Sequence, residues 1–85
     1  MENELRVNLL WHSFTREPDY EGRALSVSSE NAAGPFDILP THANFITLVT
    51  NKLTITTLDK EEKHYYFTRG ILEASENVVK VFLGV

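Results

Sequence analysis

The chain has 85 residues, 42% of them hydrophobic and 24% charged, which is enough for one modest core and too little for two ordinary domains. Eight Lys and Arg against twelve Asp and Glu leave a net charge of −4, the wrong sign for a protein that neutralises phosphates, so nucleic acid is not expected as a partner. Cysteine is absent, so neither disulfides nor a thiolate metal site can hold the fold together.

The N-terminal Met1-Glu2-Asn3-Glu4 is acidic and no long apolar stretch follows it. Neither a secretory leader nor a spanning helix is expected, and with them goes direct membrane insertion. Over residues 5–14, Leu5, Val7, Leu9 and Trp11 share one parity and Arg6, Asn8 and His12 the other. That period of two marks a half-buried strand. Pro18, Asp19 and Gly22 predict a reversal over residues 15–22, with Tyr20 packing back onto the core. Residues 23–29 alternate again, Leu25 and Val27 opposing Ala24, Ser26 and Ser28, before residues 29–35 break the pattern as the longest loop signal.

Residues 36–40 then read as a short edge strand, because Pro40 cannot donate to a central ladder and disfavours α geometry before it. Residues 44–49 and 52–58 are dense in β-branched side chains, which disfavour helix, and Thr50-Asn51 reads as a turn between them. A charged turn over residues 59–63 leads into His64, Tyr65, Tyr66 and Phe67. Gly70 separates that strand from residues 71–74, and Asn77 marks the hairpin turn before a closing strand over residues 78–83. The pattern predicts an all-β fold: a two-sheet antiparallel β-sandwich or flattened barrel of about eight to ten short strands. Residues 1–85 form one domain on this reading.

Chemistry finds little support. His12, His42 and His64 lack the close spacing that puts two imidazoles on one element, so no metal site is expected. There is no nucleophile elbow and no Gly-rich phosphate loop with its lysine, and Glu61 and Glu62 sit in a charged turn where a solvated tip is the simpler reading. No catalytic residue and no cofactor are assigned. The aromatics Trp11, Phe36, Phe45, Tyr65, Tyr66, Phe67 and Phe82 fall at strand spacing and read mostly as core, with Phe36 a candidate interface anchor.

The run Gly34-Pro35-Phe36-Asp37-Ile38-Leu39-Pro40-Thr41-His42-Ala43-Asn44-Phe45 resembles the signature of the epsilon subunit of F-type ATP synthases. Tyr66-Phe67-Thr68-Arg69-Gly70-Ile71-Leu72-Glu73 is similar to that family's aromatic strand and glycine segment, and Asn77-Val78-Val79-Lys80-Val81 follows at the family's spacing, with Tyr20-Glu21-Gly22 ahead of them all. Departures are Thr41 where a glycine is usual before the histidine, Asn44 where a proline often follows the alanine, and Arg69 in place of one glycine of a common pair.

The resemblance implies the N-terminal β-sandwich domain of that subunit: a non-catalytic rotor part of a proton- or sodium-driven synthase, joining the gamma subunit to the polar loops of the membrane c-ring. By family position Asn31, Ala33, Gly34, Pro35 and Phe36 should face the c-ring, with Glu30 and Asp37 as the anions available to its basic groups. Phe14, His42 and Thr47 should face gamma. The implied place is peripheral, on the cytoplasmic side of the plasma membrane within the complex, and the isolated chain is expected to self-associate through the gamma surface. A C-terminal helical hairpin is common in the family; with the sequence ending at Val85, inhibition and nucleotide sensing by such helices are not expected of it. The alternatives are a carbohydrate- or peptide-binding β-sandwich, since fold does not fix function, and an oligonucleotide-binding barrel, which the acidic balance disfavours.

Overall fold

The computed structural model describes residues 4–11, 18–41 and 44–85. Phe14 and His42, two of the expected gamma-facing residues, lie outside the described residues, as does His12. Six strands form the described chain: β1 (Leu5–Trp11), β2 (Tyr20–Asn31), β3 (Gly34–Ile38), β4 (Phe45–Thr57), β5 (Glu62–Ser75) and β6 (Val78–Leu83). Among the described residues no helix is long and apolar enough to cross a membrane.

The strand order is β1-β6-β5-β4-β2-β3, and β1 also pairs with the first half of β2. That extra pairing, from Leu5 opposite Ala24 to Leu9 opposite Tyr20, closes the sheet on itself. Every pairing is antiparallel except β1 with β6, which run parallel from Arg6 opposite Val78 to Trp11 opposite Leu83. β3 pairs with β2 alone and is an edge strand, as the prolines around it require.

The expected alternation places the core. Leu5, Val7 and Leu9 on β1 and Val79, Val81 and Leu83 on β6 point inward and are buried, meeting Ala24, Val27, Ile38, Val49, Leu53, Ile55, Leu72 and Ala74. Tyr20, Trp11, Phe36, Tyr65 and Phe67 pack against this cluster from its margins.

The count is six strands rather than eight to ten because two positions that read as breaks, Thr50-Asn51 and Gly70, lie within continuous strands that share one bulge. Asn51, with φ 73°, bends β4 without ending it. Opposite it, Thr50 pairs with Arg69 and Asn51 with Phe67, leaving Thr68 unpaired. The extra residue shifts the inward parity of β5 from Tyr65 and Phe67 to Gly70, Leu72 and Ala74, a flip that imitates two strands in the sequence. Gly70 is therefore mid-strand. A Cβ there would lie 2.6 Å from the Phe82 carbonyl oxygen, so glycine serves close packing against β6.

A second irregularity falls between Ala24 and Ser26 in the pairing of β2 with β4. It buries Ala24 and leaves Leu25 half-buried, the reverse of the expected alternation. The long loop expected over residues 29–35 is instead a two-residue turn, Ala32-Ala33, between Asn31 and its partner Gly34. The reversal expected up to residue 22 gives way to β2 at Tyr20. Asn77 does turn the β5–β6 hairpin: Glu76 and Asn77 take φ values of 51° and 66°, the left-handed pair that a two-residue hairpin needs.

Candidate docking surfaces

The β2–β3 tip is held by Asn31. Its side-chain oxygen accepts from the Ala33 amide at 2.9 Å, and its side-chain nitrogen donates to the Thr47 hydroxyl at 3.0 Å. Both ends of the amide are thus used, one to shape the turn and one to tie it to β4. Gly34, at φ 118°, supplies a backbone conformation that side-chain-bearing residues resist. Ala33 and Pro35 are exposed, while Phe36 is half-buried and meets Phe45 edge-on, ring centroids 5.8 Å apart. Phe36 seals one end of the sandwich beneath the tip.

The structure thus brings Asn31, expected to face the ring, into contact with Thr47, expected to face gamma. The two anions expected at the tip are already engaged: Glu30 accepts from the Asn51 side chain and Asp37 from the Ser28 hydroxyl, each at 2.5 Å. A groove beside the tip, lined by Ser28, Ser29, Glu30, Pro35, Lys52 and Thr54, has a volume near 230 Å³, below the roughly 300–1,000 Å³ usual for small-molecule sites.

A second surface lies on the outward side of β4, β5, β6 and β1. The registers set Leu48 opposite Ile71, Ile71 opposite Phe82, and Phe82 opposite Leu10. All four are on the outward parity, so they form one apolar row across four strands, with Ile46 beside it on β4. Leu48 is 71% exposed, Ile46 67% and Phe82 40%. Below the row, Ile46, Glu73, Lys80 and Asn8 follow in the next register line, and the Asn8 side-chain oxygen is buried without a hydrogen-bond partner. An apolar patch rimmed by polar groups is the usual form of a protein-binding face.

This row was not singled out from the sequence, although a signal was present. Leu9-Leu10-Trp11, Phe45-Ile46, Leu48-Val49, Ile71-Leu72 and Val81-Phe82-Leu83 are apolar on both parities. A strand apolar on both parities has both faces covered.

The opposite end carries Trp11, Asp19, Tyr20, Tyr65 and Asp59. Trp11 and Tyr65 stack edge-to-face at 6.3 Å, and Asp19 accepts from the Trp11 amide at 2.7 Å. Burial pushes the Tyr20 phenol above its ordinary range with help from Asp59, and burial, then Asp19 and Tyr20, do the same for Tyr65. The Asp59 carboxyl is held low, chiefly by the Thr57 hydroxyl that donates to it. His64 sits on the strand surface with Thr54 and Glu62. Among the described residues no three His, Cys, Asp or Glu side chains converge as a metal site.

The chain is thus a closed β-sandwich with a pinned hairpin tip and an outward apolar row, the usual form of a protein-binding face. The chain belongs to the family of ATP synthase delta/epsilon chains, whose β-sandwich domain it matches over residues 16–84. Among solved structures it is similar to a chain of the Euglena gracilis mitochondrial ATP synthase, in the OSCP/F1/c-ring assembly in rotational state 1, with a TM-score of 0.85 at 10% identity. That match covers 98% of this chain and 52% of the other. It is also similar to a chain of the Tetrahymena thermophila mitochondrial ATP synthase central stalk and c-ring, with a TM-score of 0.71 at 10% identity, covering 96% of this chain and 64% of that one. At that identity the likeness is one of fold, and the chain spans about half to two thirds of the length of these neighbours. Comparison with curated proteins gives no match.

Proposed function

We propose that the chain is a non-catalytic central-stalk subunit of an F-type ATP synthase driven by protons or sodium ions. Its single domain, residues 1–85, joins the gamma subunit to the polar loops of the c-ring and so supports coupling of ion transport to ATP synthesis. Family membership and the stalk and c-ring assemblies of the fold neighbours support this reading. The observation that carries it is the outward apolar row Leu10, Phe82, Ile71 and Leu48 across four strands, exposed at Leu48 and Phe82. The chemistry of the synthase lies elsewhere; the task here is to prevent slip between two bodies that turn together.

The row is the gamma-binding face and the Asn31 tip is the ring-facing element. The Asn31–Thr47 bond between the tip and β4 supports this reading, since transmission of torque requires both contacts to move as one unit. A stable interface of this kind buries roughly 1,200–2,000 Å² in total, its core being apolar and aromatic. The protein is then peripheral, on the F1-bearing side of the membrane that carries the synthase. Purification of the complete rotor with this subunit tagged tests the reading. Gamma and the c-ring should both be recovered with it, and their absence from the tagged material would refute the assignment.

A further inference from the structure

Half of β4 is an open edge. β2 pairs with β4 from Thr54 to Thr57 only, whereas β5 pairs with β4 along its whole length from Phe45 to Thr56. Among the described residues, then, the backbone of residues 45–50 is paired on one side only, with the Asn31 and Phe36 side chains against Thr47 and Phe45. Two further edges are guarded as exposed edges usually are: β3 carries Pro35 and Asp37, and the first half of β5 carries Glu62, Lys63 and His64. Residues 45–50, Phe-Ile-Thr-Leu-Val-Thr, hold neither a charge nor a proline. Two of their outward side chains, Ile46 and Leu48, are the most exposed large apolar residues among the described residues.

We propose that this edge pairs with the same edge of a second copy of the chain, antiparallel about a two-fold axis through Thr47. Directly opposed residues in an antiparallel ladder point to the same face, so the pairing register must preserve parity. With Thr47 on the axis, Ile46 faces the partner's Leu48 and Leu48 faces the partner's Ile46 on the outer face. Phe45 faces the partner's Val49 on the inner one. Every apolar side chain of the segment meets an apolar one, Thr47 meets its own copy, Thr50 meets the partner's Asn44, and no like charges are opposed. Moving the axis to Ile46 sets Leu48 against the partner's Asn44, and moving it to Leu48 sets Ile46 against the partner's Thr50, so both alternatives match less well. The occupant is a second copy because the segment is its own complement. The dimer covers Ile46 and Leu48, which the gamma reading also uses, so it is a form of the chain outside the rotor.

The absence of cysteine makes single-cysteine cross-linking a clean test of the full chain. Thr47→Cys should cross-link to itself on mild oxidation faster than Ile46→Cys or Leu48→Cys, and sedimentation of the wild type should show a monomer–dimer equilibrium. Leu48→Lys or Ile46→Lys, at exposed positions that leave the core alone, should weaken the dimer by roughly tenfold or more, since each sets a charge against an apolar partner. Phe82→Lys, two strands away from the edge, should leave the dimer nearly unchanged while weakening gamma binding. That difference separates failure of this proposal from failure of the rotor reading. A monomeric mass at about 1 mM chain would overturn the proposal. So would a dimer lost with Phe82→Lys but kept with Leu48→Lys, or faster cross-linking at 46 or 48 than at 47.

Discussion

The Asn31 side chain donates to the Thr47 hydroxyl across the end of the sandwich at 3.0 Å, while its oxygen caps the turn at Ala33. One amide therefore couples the exposed hairpin tip to the strand that carries Ile46 and Leu48. Asn31→Ala should cost about 1 kcal/mol of stability, the usual net worth of such a bond, and should loosen the tip more than the core. Hydrogen exchange at the Ala33 amide, compared with core amides, measures that difference. A double-mutant cycle with Thr47→Val should show non-additivity.

At the tip itself, charge should be introduced at Ala32 and Ala33, which are exposed, rather than at Gly34. A Cβ at Gly34 meets nothing within 4 Å, yet its φ of 118° makes any side chain strained. Ala32→Glu with Ala33→Glu is expected to leave thermal unfolding unchanged and alter retention of the c-ring in the purified rotor. Gly34→Ala is expected to lower stability by roughly 1 kcal/mol or more through backbone strain alone.

Thr41 stands where the family signature has glycine, and its φ is 71°. A β-branched residue in the left-handed region is strained, although its hydroxyl is bonded to the Pro40 carbonyl and its amide to Asn77. Thr41→Gly should raise stability by up to about 1 kcal/mol, relief of strain being partly offset by the freer unfolded chain. Gly70→Ala should act oppositely, because its Cβ would press on the Phe82 backbone, and a loss of about 1–3 kcal/mol is expected. Urea midpoints of the two variants measure both effects.

These positions also show how much of the fold is legible in the sequence. The all-β class, the β5–β6 turn at Asn77, the edge placement of residues 36–40 ahead of Pro40, and the odd-numbered core of β1 followed from local chemistry. The family resemblance came instead from the ordered motifs of residues 34–45, 66–73 and 77–81. The remainder depends on partners distant in sequence. Thr68 is an extra residue only relative to β4, so its bulge looked like a break between strands. Leu25 lost its inward place to Ala24 because β4 sets the register there. For Leu48, Ile71 and Phe82, the two-sided apolar pattern was legible, but only the strand order shows that they line up.

Tyrosine ionisation should limit alkaline stability. Tyr20 and Tyr65 hold their protons more tightly folded than unfolded, so their contribution is fully present below the ordinary phenol value of about 10 and is lost as pH rises through the folded values. Thermal midpoints should fall as the pH rises above about 10, and Tyr65→Phe should flatten that fall while keeping the edge contact with Trp11. Asp59 has the opposite sign: its carboxyl is held low by Thr57, so its contribution is present above the ordinary carboxylate range and is lost on acidification. Asp59→Asn should reduce acid sensitivity.

The most direct test of the account is a calorimetric titration of the cognate gamma subunit with this chain and with a Leu48→Lys, Phe82→Lys variant. The account predicts saturable binding by the wild type. The variant, with an unchanged unfolding transition, should lose about 2 kcal/mol or more, as substitutions at the centre of an interface do. No binding by the wild type, or equal affinity for both proteins, would contradict it.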